Sequence, residues 1–295
     1  MSIKSLTDNK SFRKTIWVSI VILIIGRLLL EWLVREKRYF LIHDSIYWII
    51  NYIIIMLSVF VCNNNRYVKR IEYIVLIVFF ILNTKGTIET TYDPLFFSSS
   101  PNKENEIIIR ETVDDKEGIM GIKRRYKIFG QINDRFITKD KYRTFSKETY
   151  KINWLNNNIA TITYLTGNGN KLKQHIYSFK KETPNSYRYV LPSLTGKWID
   201  KNNPNDTLEV SMDKFIYKKD GKTYNYDIYK SKQKGYIGLI MDGQGKTPDL
   251  SIILNDDCTI GSDCLINNDG TIYIGNVTLK NEDMHIYKKV NKIKK

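Results

Sequence analysis

Few residues in this 295-residue chain combine a type and a spacing that could do chemistry. Arg27 and Glu31 stand four apart inside an apolar run, so on a helix they share a face and can pair. Ionisable residues inside a membrane span mark a functional site by default. Both also lie in the outer third of the run, near Arg35, so snorkelling toward the headgroups accounts for them more simply. Cys258 and Cys264 flank the five residues Thr259–Asp263, a loop that could close as a disulfide in an oxidising compartment. Gly261 would permit the bend, and two unrelated thiols are the alternative. Lys123, Arg125 and Lys127 alternate along a segment that reads as a strand, which puts them on one face. Such a face could meet anionic headgroups or wall polymer; an ordinary solvated strand face is the simpler account.

Other chemistry is missing from the sequence. There is no phosphate loop, no G-x-S-x-G and no H-E-x-x-H. His43, His175 and His285 share no ligand spacing and read as surface or boundary residues. Asp242-Gly243-Gln244-Gly245 opens like a calcium loop, but Gln244 and Lys246 stand where oxygen ligands belong, so it reads as a turn. Asp256, Asp257 and Asp263 read as a solvated loop. No catalytic residue, metal ligand or cofactor is assigned. The expectation is a chain without catalysis, with an enzyme using scattered Asp, Tyr and Lys in a β-domain cleft as the alternative.

The elements that must carry these residues divide into an apolar third and a polar remainder. Three membrane spans are predicted, at about 15–34, 46–62 and 67–84, after a basic tail over 1–14. The second is the cleanest run, with Tyr47 and Trp48 as interfacial aromatics at its start. The third is the weakest, and two spans are the alternative. The N-terminus has the basic start of a signal peptide but no A-x-A-like cleavage site, the single alanine being Ala160, so the spans are expected to remain. Lys4, Lys10, Arg13 and Lys14 in the tail and Arg66, Lys69 and Arg70 in the second loop outnumber Arg35, Lys37 and Arg38 in the first loop and Lys85 after the third span. With three spans, the positive-inside rule places everything after them outside the cytoplasm; losing the third span would reverse that. Net charge is +15, and composition rich in Lys, Asn, Ile and Tyr suggests drift in an AT-rich, low-GC Gram-positive genome rather than nucleic-acid binding.

The remainder reads as a linker over 85–105, a first β domain over 106–182, a linker over 183–193, a second β domain over 194–289 and a basic tail over 290–295. Both domains are expected to be mostly antiparallel, with hairpin turns at Asn156-Asn157-Asn158, Asp220-Gly221, Asp242-Gly243 and Asp269-Gly270.

Within the first domain, Ser100-Pro101-Asn102, the strand after it, the basic aromatic strand, and Tyr150-Lys151-Ile152-Asn153-Trp154 with Ile159–Tyr164 resemble an uncharacterised family of Gram-positive membrane proteins. Those proteins carry a compact β domain after N-terminal spans. The resemblance covers about residues 98–180 and implies architecture, with no activity to carry over. In the second domain, Gly196-Lys197-Trp198 on an opening strand and Ile286-Tyr287-Lys288 on a closing one resemble a lipocalin-like small barrel, with a β-sandwich as the alternative. That resemblance implies that Trp198 plugs one end beneath a basic side chain from the last strand, for which Lys288 is the match. Together these readings predict a multi-pass cell-membrane protein displaying extracytoplasmic β domains, of binding or envelope-associated type. Its expected partners are membrane lipid, an anionic wall polymer or another membrane protein. A regulator or immunity protein acting through its spans is a further alternative.

Overall fold

The computed structural model describes residues 10–37, 39–61, 65–91, 94–111, 119–124, 127–136, 142–167, 169–180 and 189–290. It divides into two compact units, one of residues 1–97 and 107–137, the other of 98–106 and 138–295. The expected first β domain is therefore split between them.

The first unit begins with three helices, α1 (Lys10–Lys37), α2 (Ser45–Val59) and α3 (Arg66–Thr91). α1 over Lys10–Glu36 and α3 over Arg66–Ile88 are long and apolar enough to cross a membrane. α2 has 15 helical residues, about 22 Å at ~1.5 Å per residue, short of a ~30 Å hydrocarbon core. The ranking of the runs thus differs from expectation: the cleanest is the shortest helix and the weakest is a long one. Continuous apolarity measures hydrophobicity, whereas helix length depends on where the chain finds caps and turns. Against one another the helices bury little; Ile16, Ile20 and Val61 form a small core near the start of α1. Most apolar side chains of α1 and α3 face outward, as on Ile22, Leu28, Ile77 and Phe79.

The same unit carries a five-stranded sheet. β1 (Tyr39–Leu41) lies in the α1–α2 connection, β2 (Leu95–Ser99) follows α3, and β3 (Glu106–Glu111), β4 (Ile119–Arg124) and β5 (Phe129–Phe136) complete the order β1-β5-β4-β3-β2. β1 pairs antiparallel with β5 through Tyr39 and Gln131, Phe40 and Gly130, Leu41 and Phe129. Arg110 on β3 fastens this arrangement. It donates to Asp44 Oδ2 at 2.6 Å and to the carbonyls of Ile42 at 2.9 Å and Leu41 at 3.3 Å.

The second unit holds two sheets. β6 (Tyr150–Trp154), β7 (Ile159–Thr166) and β8 (Lys171–Ser178) form a three-stranded meander. Then come a helical turn α4 (Val190–Ser193) and nine strands: β9 (Gly196–Asp200), β10 (Thr207–Val210), β11 (Phe215–Lys219), β12 (Lys222–Tyr226), β13 (Ser231–Lys234), β14 (Gly238–Met241), β15 (Leu250–Leu254), β16 (Thr271–Asn276) and β17 (His285–Lys289). Each strand pairs antiparallel with its sequence neighbour except across the β12–β13 connection, and β17 returns to pair with β9. The sheet is thus a curled half-barrel, open between β12 and β13, where the chain makes a 3₁₀ turn at Ile228–Lys230.

Its interior is filled. Alternate residues such as Trp198, Leu208, Phe215, Tyr217 and Tyr287 point inward and are at most 2 % exposed. β15 is buried at every position, because Ile159 and Ile176 of the three-stranded sheet join the same core. Gly238 makes that approach possible: a Cβ there would lie 2.3 Å from Ile176 Cδ1. The motifs behind the first resemblance also meet in this unit. Trp154 Nε1 donates to Ser98 Oγ at 2.9 Å, and Asn105 Nδ2 donates to the Asn157 carbonyl at 2.8 Å.

Candidate functional site

Two polar constellations stand out, one in each unit. In the helical unit the expected Arg27–Glu31 pair is formed. Arg27 also turns into the bundle: Nε donates to Asn51 Oδ1 at 2.8 Å, Asn51 Nδ2 donates to Asn83 Oδ1 at 2.8 Å, and Asn83 Nδ2 reaches the Trp48 carbonyl at 3.3 Å. One layer therefore ties all three helices, where amide hydrogen bonds find little competing water. Beside it runs an apolar groove of about 610 Å³, lined by side chains such as Ile24, Leu28, Ile54, Val75 and Phe79. Sequence reading found Arg27 and Glu31 but missed Asn51 and Asn83. Single asparagines in an asparagine-rich chain carry no spacing signal.

In the β unit, a polar mouth of about 440 Å³ opens on the half-barrel. His285, which lines it, is bonded to Asp200, the last residue of β9, whose side chain is fully buried. Asp200 Oδ1 accepts from the Asn202 amide at 2.7 Å, closing the turn after the strand. Its Oδ2 lies 2.8 Å from His285 Nδ1, the first residue of β17. A carboxylate only accepts, so Nδ1 carries the proton donated to Asp200, and in the neutral ring Nε2 is an acceptor. Lys219 Nζ, from the end of β11, lies 3.4 Å from that Nε2. Three strands distant in sequence meet here because β9 closes against β17.

Next to this relay, Tyr287 donates its hydroxyl to Tyr217 at 3.3 Å. Burial pushes both phenols well above the ordinary tyrosine range. Tyr226 is pushed up to about 12, burial again the largest cause; its hydroxyl is spent on the Pro248 carbonyl at 2.8 Å. Tyr224 stacks on Tyr217 with ring centroids 6.2 Å apart. Asp220, Asn276, Glu282 and Asp283 complete the rim.

The other expected sites fare differently. Cys258 and Cys264 are free thiols, which corrects the expected disulfide. Cys258 turns into the core, where Sγ donates to the Thr271 carbonyl at 3.0 Å, while Cys264 is exposed at φ 62°. Five residues are short enough to bridge, but loop conformation sends the two side chains to different environments. The basic strip is also corrected. β4 ends at Arg124 and Lys127 lies in the bend before β5, so Lys123 and Lys127 do not share a strand face. Arg125 lies outside the described residues. Trp198 is buried with Nε1 donating to the Leu194 carbonyl at 2.8 Å. The basic side chain above it is Lys289, not Lys288. Lys289 faces Trp198 in register, its Nζ 5.8 Å from the ring centroid and 2.7 Å from the Ile266 carbonyl. Lys288 is the next residue along the strand and points to the other, exposed face. Gly196, at φ +132°, leaves room for this lysine, since a Cβ there would come 3.0 Å from Lys289 Cε.

The acidic loops are committed to turns. Asp257 accepts from the Thr271 amide at 2.8 Å, Asp263 from the Leu265 amide at 3.0 Å and Asp242 from the Gln244 amide at 2.8 Å. No group of three metal-ligating side chains occurs among the described residues. His43 lies 6.3 Å from Phe97 and His175 lies 4.7 Å from Tyr177, ring to ring, while His285 faces the Asp200 carboxylate.

These features define a chain in which an apolar helical region precedes an antiparallel β half-barrel. Comparison with known protein families, with curated proteins and with solved structures finds no match.

Proposed function

We propose that this is a cell-membrane protein that crosses the bilayer three times and displays its β unit outside the cytoplasm as a non-catalytic binding or envelope-associated module. The observation that carries the reading is β1. It belongs to the α1–α2 connection yet pairs with β5, which follows α3. The α1–α2 connection and the chain after α3 thus sit at one end of the helices. At the other end Arg13 donates to the Val61 carbonyl at 3.0 Å, joining the start of α1 to the end of α2. An odd number of crossings fits that arrangement, with α2 extended past its helical residues by Phe60 and Val61. The excess of Lys and Arg in the tail and second loop favours the cytoplasm for that end.

Binding rather than catalysis is favoured by the filled interior of the half-barrel. Closure of the last strand on the first, with Trp198 beneath a lysine, supports the lipocalin-like reading. Reporter fusions test the proposal. An export-dependent reporter after Lys295 should be active and a cytoplasm-dependent one silent, with the opposite result for fusions before Lys10. A C-terminal fusion active only as the cytoplasmic reporter would overturn it.

A second reading is favoured by the groove beside Arg27, Asn51 and Asn83: a regulator or immunity protein that holds a partner helix there. Co-purification of one membrane partner, lost in Arg27→Leu, would support it.

A further inference from the structure

We propose that the mouth of the half-barrel is a saccharide site, taking a neutral or amine-bearing sugar unit. The inference deepens the binding-module reading and rests on it, but does not depend on which side of the membrane the module lies. At about 440 Å³ the mouth falls within the range of small-ligand pockets. Its lining mixes donors, acceptors and one aromatic face, the combination a ring of hydroxyls requires.

The donor at the floor is Tyr217. It is 2 % exposed, accepts from Tyr287, and keeps its own O–H, for which no protein acceptor is found among the described residues. A buried donor without a partner costs free energy until a ligand oxygen meets it. The Asp200 carboxylate holds the His285 ring in place with Nε2 toward Lys219, so the remaining protons of the Lys219 ammonium are offered as donors from a fixed position. Tyr224 is half-buried, leaving part of its ring and its hydroxyl available to a sugar face. Asp220 and Asp283 supply acceptors at the rim.

Charge narrows the class. Three rim carboxylates, on Asp220, Glu282 and Asp283, face one lysine. That balance repels the anionic wall polymer named among the expected partners and attracts an amine, which the Tyr224 face would also favour. An acyl chain would leave these polar groups unpaired.

The test uses the full chain in detergent micelles and saturation-transfer NMR at pH 7.5. The free probes are chitobiose and the glucosamine disaccharide, with glycerol 1-phosphate as the anionic control and diglucosyl-lipid vesicles as the headgroup form. Saturation transfer to a disaccharide at roughly millimolar affinity, weakened about tenfold or more in Tyr224→Ala and in Asp283→Asn, is expected. Asp283 is exposed, so its variant leaves the fold intact even if the tyrosine variant does not. Signal with free disaccharide supports a glycan as the source; signal confined to the vesicles supports a glycolipid headgroup. No transfer to any saccharide, transfer unchanged in Asp283→Asn, or tighter binding of glycerol phosphate would each overturn the proposal. Reporter sidedness is read separately, so failure here is distinguishable from failure of the topology.

Discussion

Replacing Asp200 offers a sharp test of how the half-barrel closes. Its buried carboxylate serves β9 and β17 at once, accepting from the Asn202 amide at 2.7 Å and facing His285 Nδ1 at 2.8 Å. Asp200→Ala removes both. A hydrogen bond to a charged group contributes ~1.5–3 kcal/mol, and a turn-closing bond to a backbone amide about 1 kcal/mol, so a loss of about 3 kcal/mol is expected. Hydrogen exchange followed by mass spectrometry reads this locally: peptides from 196–200 and 285–289 should exchange roughly a hundredfold faster, at ~1.4 kcal/mol per decade. Asp200→Asn separates charge from shape. The amide oxygen can still accept from Asn202, while its NH₂ must donate to His285 Nδ1. The imidazole proton then moves to Nε2, toward the Lys219 ammonium 3.4 Å away, and donor opposes donor. Exchange should rise about tenfold, less than in the alanine variant, and ¹⁵N spectra of His285 should report the changed tautomer. An alanine variant within threefold of the parent, or an asparagine variant as damaging as alanine, would refute the reasoning.

Three further outcomes follow from the geometry. Lys289→Ala should destabilise the β unit by about 1–2 kcal/mol through loss of the Trp198 and Ile266 contacts, whereas Lys288→Ala should stay within ~0.5 kcal/mol; thermal unfolding of the two variants decides between them. Without reductant, alkylation of the native protein at pH 8 should label Cys264 and spare Cys258, whose thiol burial and then Asp257 push up to about 12, and unfolding should expose both; recovery of a disulfide-linked peptide would contradict the free thiols. Burial pushes Tyr164 and Tyr226 to about 12, above the unfolded value of about 10, so the folded state holds these protons longer than the unfolded state. Their contribution is intact below about pH 10 and is lost as pH rises through about 12, and exchange protection of β7 and β12 should fall over that window and not between pH 6 and 9.

Local chemistry was legible in the chain itself. Apolar runs mark α1–α3, because continuous hydrophobicity is read directly from the residues, although among the described residues only α1 and α3 are long enough to cross a membrane. Asp-Gly and Asn-rich turns mark most hairpins of the β unit, because such turns depend on adjacent residues. Trp198 was picked out by the resemblance of the opening strand to a small barrel, and it is buried. Edge strands escaped notice: β1 and β2 are short pieces in connections, and β13 is the polar run Ser231–Lys234, so none shows hydrophobic alternation. Register was equally out of reach. Which of Lys288 and Lys289 covers Trp198 turns on a one-residue shift, and that is fixed only when β17 meets β9. The Asp200–His285–Lys219 relay, the Tyr217–Tyr287 pair and the Arg27–Asn51–Asn83 layer all join residues distant in sequence. No spacing rule encodes such neighbours; they exist because the sheet closes on itself and the helices pack, and that long-range pairing belongs to the tertiary structure alone.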